Sequence, residues 1–394
     1  MYRHHIYVSL RYNQNSKMTY SNCSTVLQKN SDQNGQIKWR SPSNIAIIKY
    51  WGKHGVQLPR NPSISFTLNN AFTDMTLSYS VKELFDDKIS LVFEFEERDK
   101  IEKFRQKIVA FLETQLPSFP FLTQLDLKIE SSNSFPHSAG IASSASSMSA
   151  LALCLCSLEN EILGQNTENT APQSGMAQYA LKGEVFLKKA SEIARLASGS
   201  ACRSVYPTMA VWGECGDVNG SSDRYAVGFE AEIHPVFKTY HDDILIAATG
   251  EKSVSSRMGH GLMNDNPYAP ARYQQANERM NRLISALKSG DVETFGQIAE
   301  DEAMTLHALM MTTSPWFTLL KPNTLKMIEI LRGWREATKV PAYFSLDAGP
   351  NLHLLYPHTY EKEVKELINN ELIQHCEHQR VIFDTVGQGA IRFQ

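Results

Sequence analysis

The chain has 394 residues, 42% hydrophobic and 21% charged, a length that suggests two or three domain-sized lobes with a real core. A formal net charge of −3 without a basic tail argues against nucleic acid as a main partner, while a local cationic pocket for a phosphorylated small molecule remains open. No uninterrupted apolar run approaches the length of a membrane span, and the six cysteines (Cys23, Cys154, Cys156, Cys202, Cys215, Cys376) show no CxxC spacing, which reads as reduced thiols of a cytosolic protein.

Residues 1–36 are rich in Asn, Ser and Gln, carry Arg3, Arg11, Lys17 and Lys29, and have no acid before Asp32. That is a transit-peptide-like composition without a convincing amphipathic helix. A disordered extension, or a start read too far upstream with Met18 as the real one, is the expectation set beside it. Next, 45–48 is strand-like and ends in the cationic, aromatic "KYWGK". "SISFTLNN" and "MTLSYS" alternate with period two around a turn-like "NAFTD", which predicts two paired strands. "DKISLVFEFEE" predicts a strand, "KIEKFRQKIVAFLETQL" an amphipathic helix and "LTQLDLKIESS" another strand.

The stretch "FPHSAGIASSASS" (135–147) runs from Ser138 in Ser, Ala and Gly apart from Ile141, then straight into "MSALALCLC". A flexible linker normally leads into polar sequence, so this run predicts the opening of a buried helix. Small residues there either let a phosphate approach the unpaired N–H groups of the helix start, or merely provide room for close helix packing. The run is not a Walker loop, whose "GxxxxGK[ST]" needs a Lys, and no GxGxxG occurs.

Helix is expected again over 176–196, followed by the glycine-containing "ASGSACRS" and a short strand "TMAVWGE". The segment 215–224, "CGDVNGSSDR", breaks the hydrophobic pattern as a hairpin loop or a domain junction. "DDILIAATG" predicts a buried strand and "EKSVSSRMGHG" a polar loop. Helices are expected over 269–289, 292–311 and 322–338, two strands joined by "DAGP" within "AYFSLDAGPNLHLLYP", a helix over 360–372 and a last strand "VIFDTV". The sum is α+β, in two lobes that divide between 214 and 241.

Four loops combine permissive backbone with functional groups: "KYWGK", "PHSAGIASSA", "SGSACRS" with "SVSSRMG", and "LDAGPN". Together they hold the ingredients of phosphoryl chemistry on an anionic substrate, which needs cations and donors around phosphates and a carboxylate near the attacking hydroxyl. Each has an ordinary structural explanation as well. Lys49 and Lys53, four apart, either face one anionic pocket or end a solvated strand. Arg203 either grips a carboxylate or makes a surface ion pair. Arg257 sits in an ordinary Ser-rich loop, and Asp347 before Ala-Gly-Pro is good turn chemistry.

In order along 38–394, "SNIAIIKYWGK", "NPSISFTL", "FPHSAGIASSAS", "GSACRSVY", "SVSSRMG" and "FSLDAGPN" resemble the GHMP kinase superfamily and, within it, the diphosphomevalonate decarboxylase family. The resemblance implies a two-lobed GHMP kinase fold: a ribosomal-protein-S5-like N-terminal lobe over 37–235, preceded by the 1–36 extension, and a ferredoxin-like C-terminal lobe over 236–394. It implies a cytoplasmic homodimer that uses ATP and Mg2+ to phosphorylate the C3 hydroxyl of mevalonate 5-diphosphate and release phosphate, CO2 and isopentenyl diphosphate. By matched position, Asp347 would orient or deprotonate the C3 hydroxyl, with Arg203 and Lys53 beside it as catalytic residues. Arg203 with Ser200 would hold the substrate carboxylate, and Tyr50, Lys53, Ser256 and Arg257 the diphosphate. Pro136, Gly140, Ala142, Ser143 and Ser144 would line the ATP phosphates, with Ser144 reaching the metal. His137 and Ser138 stand where the family more often has Thr-Ala, and Ile141 where it has Leu. A mevalonate 3-kinase, a phosphomevalonate decarboxylase and a non-catalytic ligand sensor of the same fold are the rival readings.

Overall fold

The computed structural model describes residues 27, 33–95, 101–135, 141, 143–167, 183–250 and 254–393. The chain divides into two compact units: Met1–Ile37, Thr76–Glu130 and Ser157–Ser174 form one, and Lys38–Met75, Ser131–Cys156 and Gly175–Gln394 the other. The strands are β1 (Asn34–Ile48), β2 (Lys53–His54), β3 (Leu58–Pro59), β4 (Ser63–Val81), β5 (Ser90–Phe95), β6 (Leu125–Asn133), β7 (Met209–Trp212), β8 (Ala226–Gly228), β9 (His241–Leu245), β10 (Tyr343–Leu346), β11 (Leu352–Tyr356), β12 (Val381–Ile382) and β13 (Ile391–Phe393). The helices are α1 (Ile101–Thr114), α2 (Ser143–Thr167), α3 (Glu184–Ala197), α4 (Ser256–Leu262), α5 (Ala269–Ser289), α6 (Val292–Met311), α7 (Pro322–Thr338) and α8 (Glu361–Leu367).

In the smaller unit, β6 lies between β5 and the end of β4. The apolar stripe of α1 buries Ile108 and Leu112, in a unit whose other buried residues include Leu77, Leu91, Phe93, Phe121 and Leu127. This is the 3.6-residue period of the helix meeting the period of two in the strands.

In the larger unit, one sheet runs β13-β1-β4, with β7 on β4 and β8 on β7. A second sheet runs β10-β11-β9-β12 and is antiparallel throughout, the α+β pattern expected of helices laid against an antiparallel sheet. The loop 215–224 joins β7 to β8, which pair antiparallel from Trp212 with Ala226 to Ala210 with Gly228, so it is a hairpin loop. Helices α5, α6 and α7 fall on 269–289, 292–311 and 322–338, as their patterning predicts. Gly290, at φ +83°, ends α5 in the left-handed conformation, and the Asp291 carboxylate accepts from Thr294 N–H (3.0 Å) to start α6 at once.

Three expectations need correction. "NAFTD" is not a turn between two strands, because β4 continues through it for 19 residues. Burial keeps alternating through Ala71, Thr73 and Met75, and the Asp384 carboxylate accepts from the N–H groups of Asn69 (2.8 Å), Asn70 (2.8 Å) and Ala71 (2.7 Å). A side chain more than 300 residues away thus supplies acceptors that a turn would have supplied locally. The second is β13, missed as a strand, which pairs antiparallel with β1 from Lys38 opposite Phe393 to Arg40 opposite Ile391. The third is helix where loop was expected: 199–205 forms a buried 3-10 helix (Gly199–Val205), and within "EKSVSSRMGHG" the residues Ser256–Leu262 form helix α4, started by the Ser255 cap. The expected helix over 176–196 is described from Glu184 onward, and the one near 360–372 continues from α8 as a π-helical turn, Ile368–Leu372.

Candidate active site

Strand β1 is buried to its last residue, and the chain leaves it at Lys49, whose side chain is only 2% exposed. An ammonium there must be compensated. Lys49 Nζ donates to Ala46 O (2.6 Å), to Ser345 Oγ (2.8 Å) and to Asp347 Oδ1 (3.4 Å). Burial pulls the Lys49 pKa down, and the Asp347 charge is the foremost influence holding it up. Asp347 follows β10 in the β10–β11 connection. Its backbone oxygen makes the turn, accepting from Gly349 N–H (2.7 Å) and His307 Nε2 (3.1 Å). Its carboxylate stays 24% exposed beside Lys49. Turn chemistry and a functional carboxylate therefore coexist in one residue.

Arg203, on the 3-10 helix, is buried at 2% exposure. Its Nε donates to Ser65 Oγ (2.9 Å), one terminal nitrogen to Ser63 Oγ (2.7 Å) and the other to Asn44 Oδ1 (3.4 Å). All three partners are neutral, and no acidic side chain among the described residues pairs with it. Burial lowers the Arg203 pKa, while Cys202 and Asp347 are the groups that favour its charge. The guanidinium also lies 5.8 Å from the centre of the Trp212 ring. Ser200 is on the same 3-10 helix, with its carbonyl accepting from Asn44 Nδ2 (3.2 Å). Neighbouring Cys202 is no nucleophile, because burial pushes its thiol up to about 12.

Tyr50 packs edge-on to Trp212 (4.5 Å between ring centres) and against His260 (4.4 Å). Its buried hydroxyl has no hydrogen-bond partner among the described residues, and burial raises its pKa, so it remains a neutral donor. The chain then turns at Gly52 (φ +109°), where a Cβ would stand 2.2 Å from the Tyr273 hydroxyl. The short β2–β3 hairpin presents Lys53, whose Nζ donates to Gln57 Oε1 (2.5 Å) and lies 5.8 Å from the Tyr50 ring centre. Burial, then the Arg257 charge, lowers the Lys53 pKa to about 8. Ser256 and Arg257 are exposed in the first turn of α4, which Ser255 caps by accepting from Met258 N–H (3.2 Å). His260 on the same helix accepts at Nδ1 from Gly52 N–H (3.0 Å), so its neutral ring carries the proton on Nε2. Burial, followed by the Lys53 charge, holds the His260 pKa well below its ordinary value.

Ser143 and Ser144 begin α2, and Ser144 Oγ lies 3.3 Å from Ser198 Oγ, the residue just ahead of the Arg203 helix. Ser43 Oγ donates to Ile141 O (2.6 Å), which ties the helix entry to β1. Pro136, Gly140 and Ala142 lie outside the described residues, as do His137 and Ser138.

The structure thus brings Lys49, Asp347 and Arg203 into one electrostatic neighbourhood, Tyr50 beside Lys53 with Arg257 close enough to depress its pKa, and Ser144 beside the start of the 3-10 helix that carries Arg203 and Ser200. Sequence reasoning weighed Lys49 but carried only Lys53 forward; the signal was the Lys-x3-Lys spacing, and only burial separates the two. Ser345, one strand position from Leu346, and His260, in "RMGHG", carried no signal of their own. Such cations with exposed oxygen and N–H donors can hold a multiply charged anion next to a carboxylate able to accept or orient a proton.

Two protein-family models match: the diphosphomevalonate decarboxylase-like N-terminal domain over residues 41–226 and the mevalonate 5-diphosphate decarboxylase C-terminal domain over 244–389. Among curated proteins, the diphosphomevalonate decarboxylase of Schizosaccharomyces pombe is 30% identical over 346 residues, which cover 84% of this chain and 80% of that protein. That of Candida albicans is 28% identical over 344 residues, covering 83% and 86%. Among solved structures, MDDEF in complex with MVAPP, AMPPCP and magnesium superposes with a TM-score of 0.72 at 27% identity, over 92% of this chain and all of that one. The mevalonate diphosphate decarboxylase of Staphylococcus aureus superposes with 0.73 at 26% identity, over 92% and 99%.

Proposed function

The chain belongs to the diphosphomevalonate decarboxylase family, and from that premise we propose that it converts mevalonate 5-diphosphate and ATP to isopentenyl diphosphate, ADP, phosphate and CO2. The observation that carries the reading is Arg203. A guanidinium buried this fully, with three neutral acceptors and no acidic side chain paired to it among the described residues, is completed by an anionic ligand. The Asp347 carboxylate, facing Lys49, supplies the group that a hydroxyl nucleophile needs.

The substrate carboxylate goes to Arg203 with Ser200, and the diphosphate to Tyr50, Lys53, Ser256 and Arg257. The Tyr50 hydroxyl, without a hydrogen-bond partner among the described residues, and the mutual repulsion of the Lys53 and Arg257 cations support the second assignment. Pro136, Gly140, Ala142, Ser143 and Ser144 take the ATP phosphates, a role suited to the N–H groups at the start of α2. Oxygen donors suit Mg2+, and the exposed Ser144 hydroxyl fits it. When bound, the ion neutralises phosphate charge.

Asp347 orients the C3 hydroxyl or takes its proton as the oxygen attacks the γ-phosphorus and ADP leaves. Lys49 Nζ, 3.4 Å from Asp347 Oδ1, keeps the carboxylate aimed. The C3–O bond then breaks with its electron pair leaving on phosphate. The carboxylate bond breaks with its pair forming the new double bond, and CO2 departs. Arg203 must hold that carboxylate without over-stabilising it, and its three neutral partners leave its charge undiluted.

The two-lobe division at 235/236 is part of this proposal, supported by family models that end at 226 and resume at 244. So are the cytoplasmic location and the homodimer, which the resemblance supports. No helix among the described residues is long and apolar enough to cross a membrane.

Product analysis with ATP, magnesium and mevalonate 5-diphosphate tests the function. Equal yields of ADP, CO2 and isopentenyl diphosphate are expected. ADP without CO2 would make the protein a 3-kinase, better turnover of mevalonate 5-phosphate would make it a phosphomevalonate decarboxylase, and no ADP would leave a sensor or an enzyme for a different phosphorylated substrate.

A further inference from the structure

The Lys49 side chain reaches Asp347, but its backbone is held from the opposite direction by a buried ion pair that no motif announces. Glu302 on α6 is 0% exposed and Arg272 on α5 is 1% exposed at the side chain. Glu302 Oε2 accepts from Lys49 N–H (2.8 Å), and the Arg272 fork donates to both Glu302 oxygens (2.6 and 2.5 Å) and to Lys49 O (3.2 Å). The N–H and C=O of one residue are therefore gripped by the two halves of one salt bridge. Asn61 Nδ2 adds a bond to Lys49 O (3.1 Å), and Arg279 adds one to Glu302 Oε1 (2.9 Å).

Lys49 is the first residue past β1, so among the described residues no strand partner fixes its peptide groups. A buried pair offers little net stability compared with apolar residues of similar volume, yet this one stands where its two charges meet the backbone of the residue whose ammonium reaches Asp347.

We propose that Arg272 and Glu302 are positioning residues: by clamping the Lys49 backbone they set the direction in which its ammonium meets Asp347. The inference rests on the proposed decarboxylase reading. It assigns the pair no contact with substrate. Loss of the clamp should lower kcat through Lys49 and leave ground-state binding of mevalonate 5-diphosphate and ATP in place.

The test is the double variant E302Q/R272M, which keeps a carbonyl acceptor for Lys49 N–H, removes both paired charges together and leaves no half-pair between these two residues. We expect kcat to fall about tenfold or more, with both ligand dissociation constants within about threefold. In a Lys49→Met background the same change should cost less than about twofold further, because it acts through a side chain already gone. A purely structural pair would instead give additive losses or a change in binding, and either result, like unchanged kcat, overturns the proposal. If the double variant fails to fold, Arg272→Lys keeps the charge on Glu302 but loses the fork to Lys49 O, and carries the same expectations. Hydrogen exchange of the Lys49 amide in E302L/R272M, which removes its acceptor, reads the clamp without turnover. Faster exchange in the variant is expected, and unchanged exchange refutes it even if wild-type protein releases no CO2, an outcome that would refute the decarboxylase reading separately.

Discussion

Lys53 and Lys49 are chemically identical and four residues apart, but their environments set them different tasks. Among the described residues, Lys49 has three acceptors for its ammonium, whereas Lys53 has one hydrogen-bond partner, the neutral Gln57, and a repelling neighbour in Arg257. A lysine pulled to about 8 changes charge within the working range of most enzymes. The sign is direct: below about pH 8 Lys53 is the cation that a diphosphate needs, and above it free protein holds a neutral amine there. KM for mevalonate 5-diphosphate is therefore expected to rise as pH passes through about 8, while KM for ATP stays flat. Lys53→Met should have a raised KM with that inflection gone. An inflection that survives in Lys53→Met would assign the titration to another group.

Among elements, β4 shows how a local reading and a long-range one compete. Asn, Thr and Asp in "NAFTD" are good turn formers, and the strand survives them because Asp384, after β12, caps the N–H groups of 69–71 with one carboxylate. Removing that acceptor strands the buried Ala71 N–H and weakens two exposed neighbours. Asp384→Ala is expected to lose about 2–3 kcal/mol, the scale of a lost charge-assisted bond to a buried donor, measured by urea unfolding. A loss below about 0.5 kcal/mol, the level of an ordinary surface substitution, would mean that the strand holds its own path. The opposite case is the α5–α6 hairpin, whose "SGD" junction contains the left-handed glycine and the capping Asp in sequence, so its boundaries were readable to the residue.

At the scale of the larger unit, the second sheet buries a group of acids. Asp243 accepts from the Tyr356 hydroxyl (2.5 Å) and from Asp384 N–H (3.1 Å), and burial outweighs those bonds, raising its pKa to about 7. Asp384 is raised to about 6, also chiefly by burial. A carboxyl whose folded pKa lies above its unfolded value of about 3.9 binds its proton more tightly in the folded state. The stability it contributes is complete below about pH 4 and is lost as pH rises through about 7 for Asp243. Asp243→Asn cannot ionise. The difference in Tm between Asp243→Asn and wild type should therefore shift in favour of the variant as pH goes from about 4 to about 8; a difference constant with pH would show that Asp243 is ionised throughout.

The sequence by itself determined the element types wherever a period or a cap was local: α5, α6 and α7, the strand ends at "KYWGK" and "LDAGP", and the loops whose residue types pointed to phosphoryl chemistry. Residue types and spacing are one-dimensional, and they suffice when the partner lies within a turn or two. Tertiary structure alone decided that β4 is one strand, that β13 closes an edge beside β1, that Lys49 rather than Lys53 faces Asp347, and that Arg272 and Glu302 hold the Lys49 backbone. Each depends on groups more than 200 residues apart along the chain. Burial, which turns a lysine or an aspartate from surface decoration into part of a site, exists only once those groups have met.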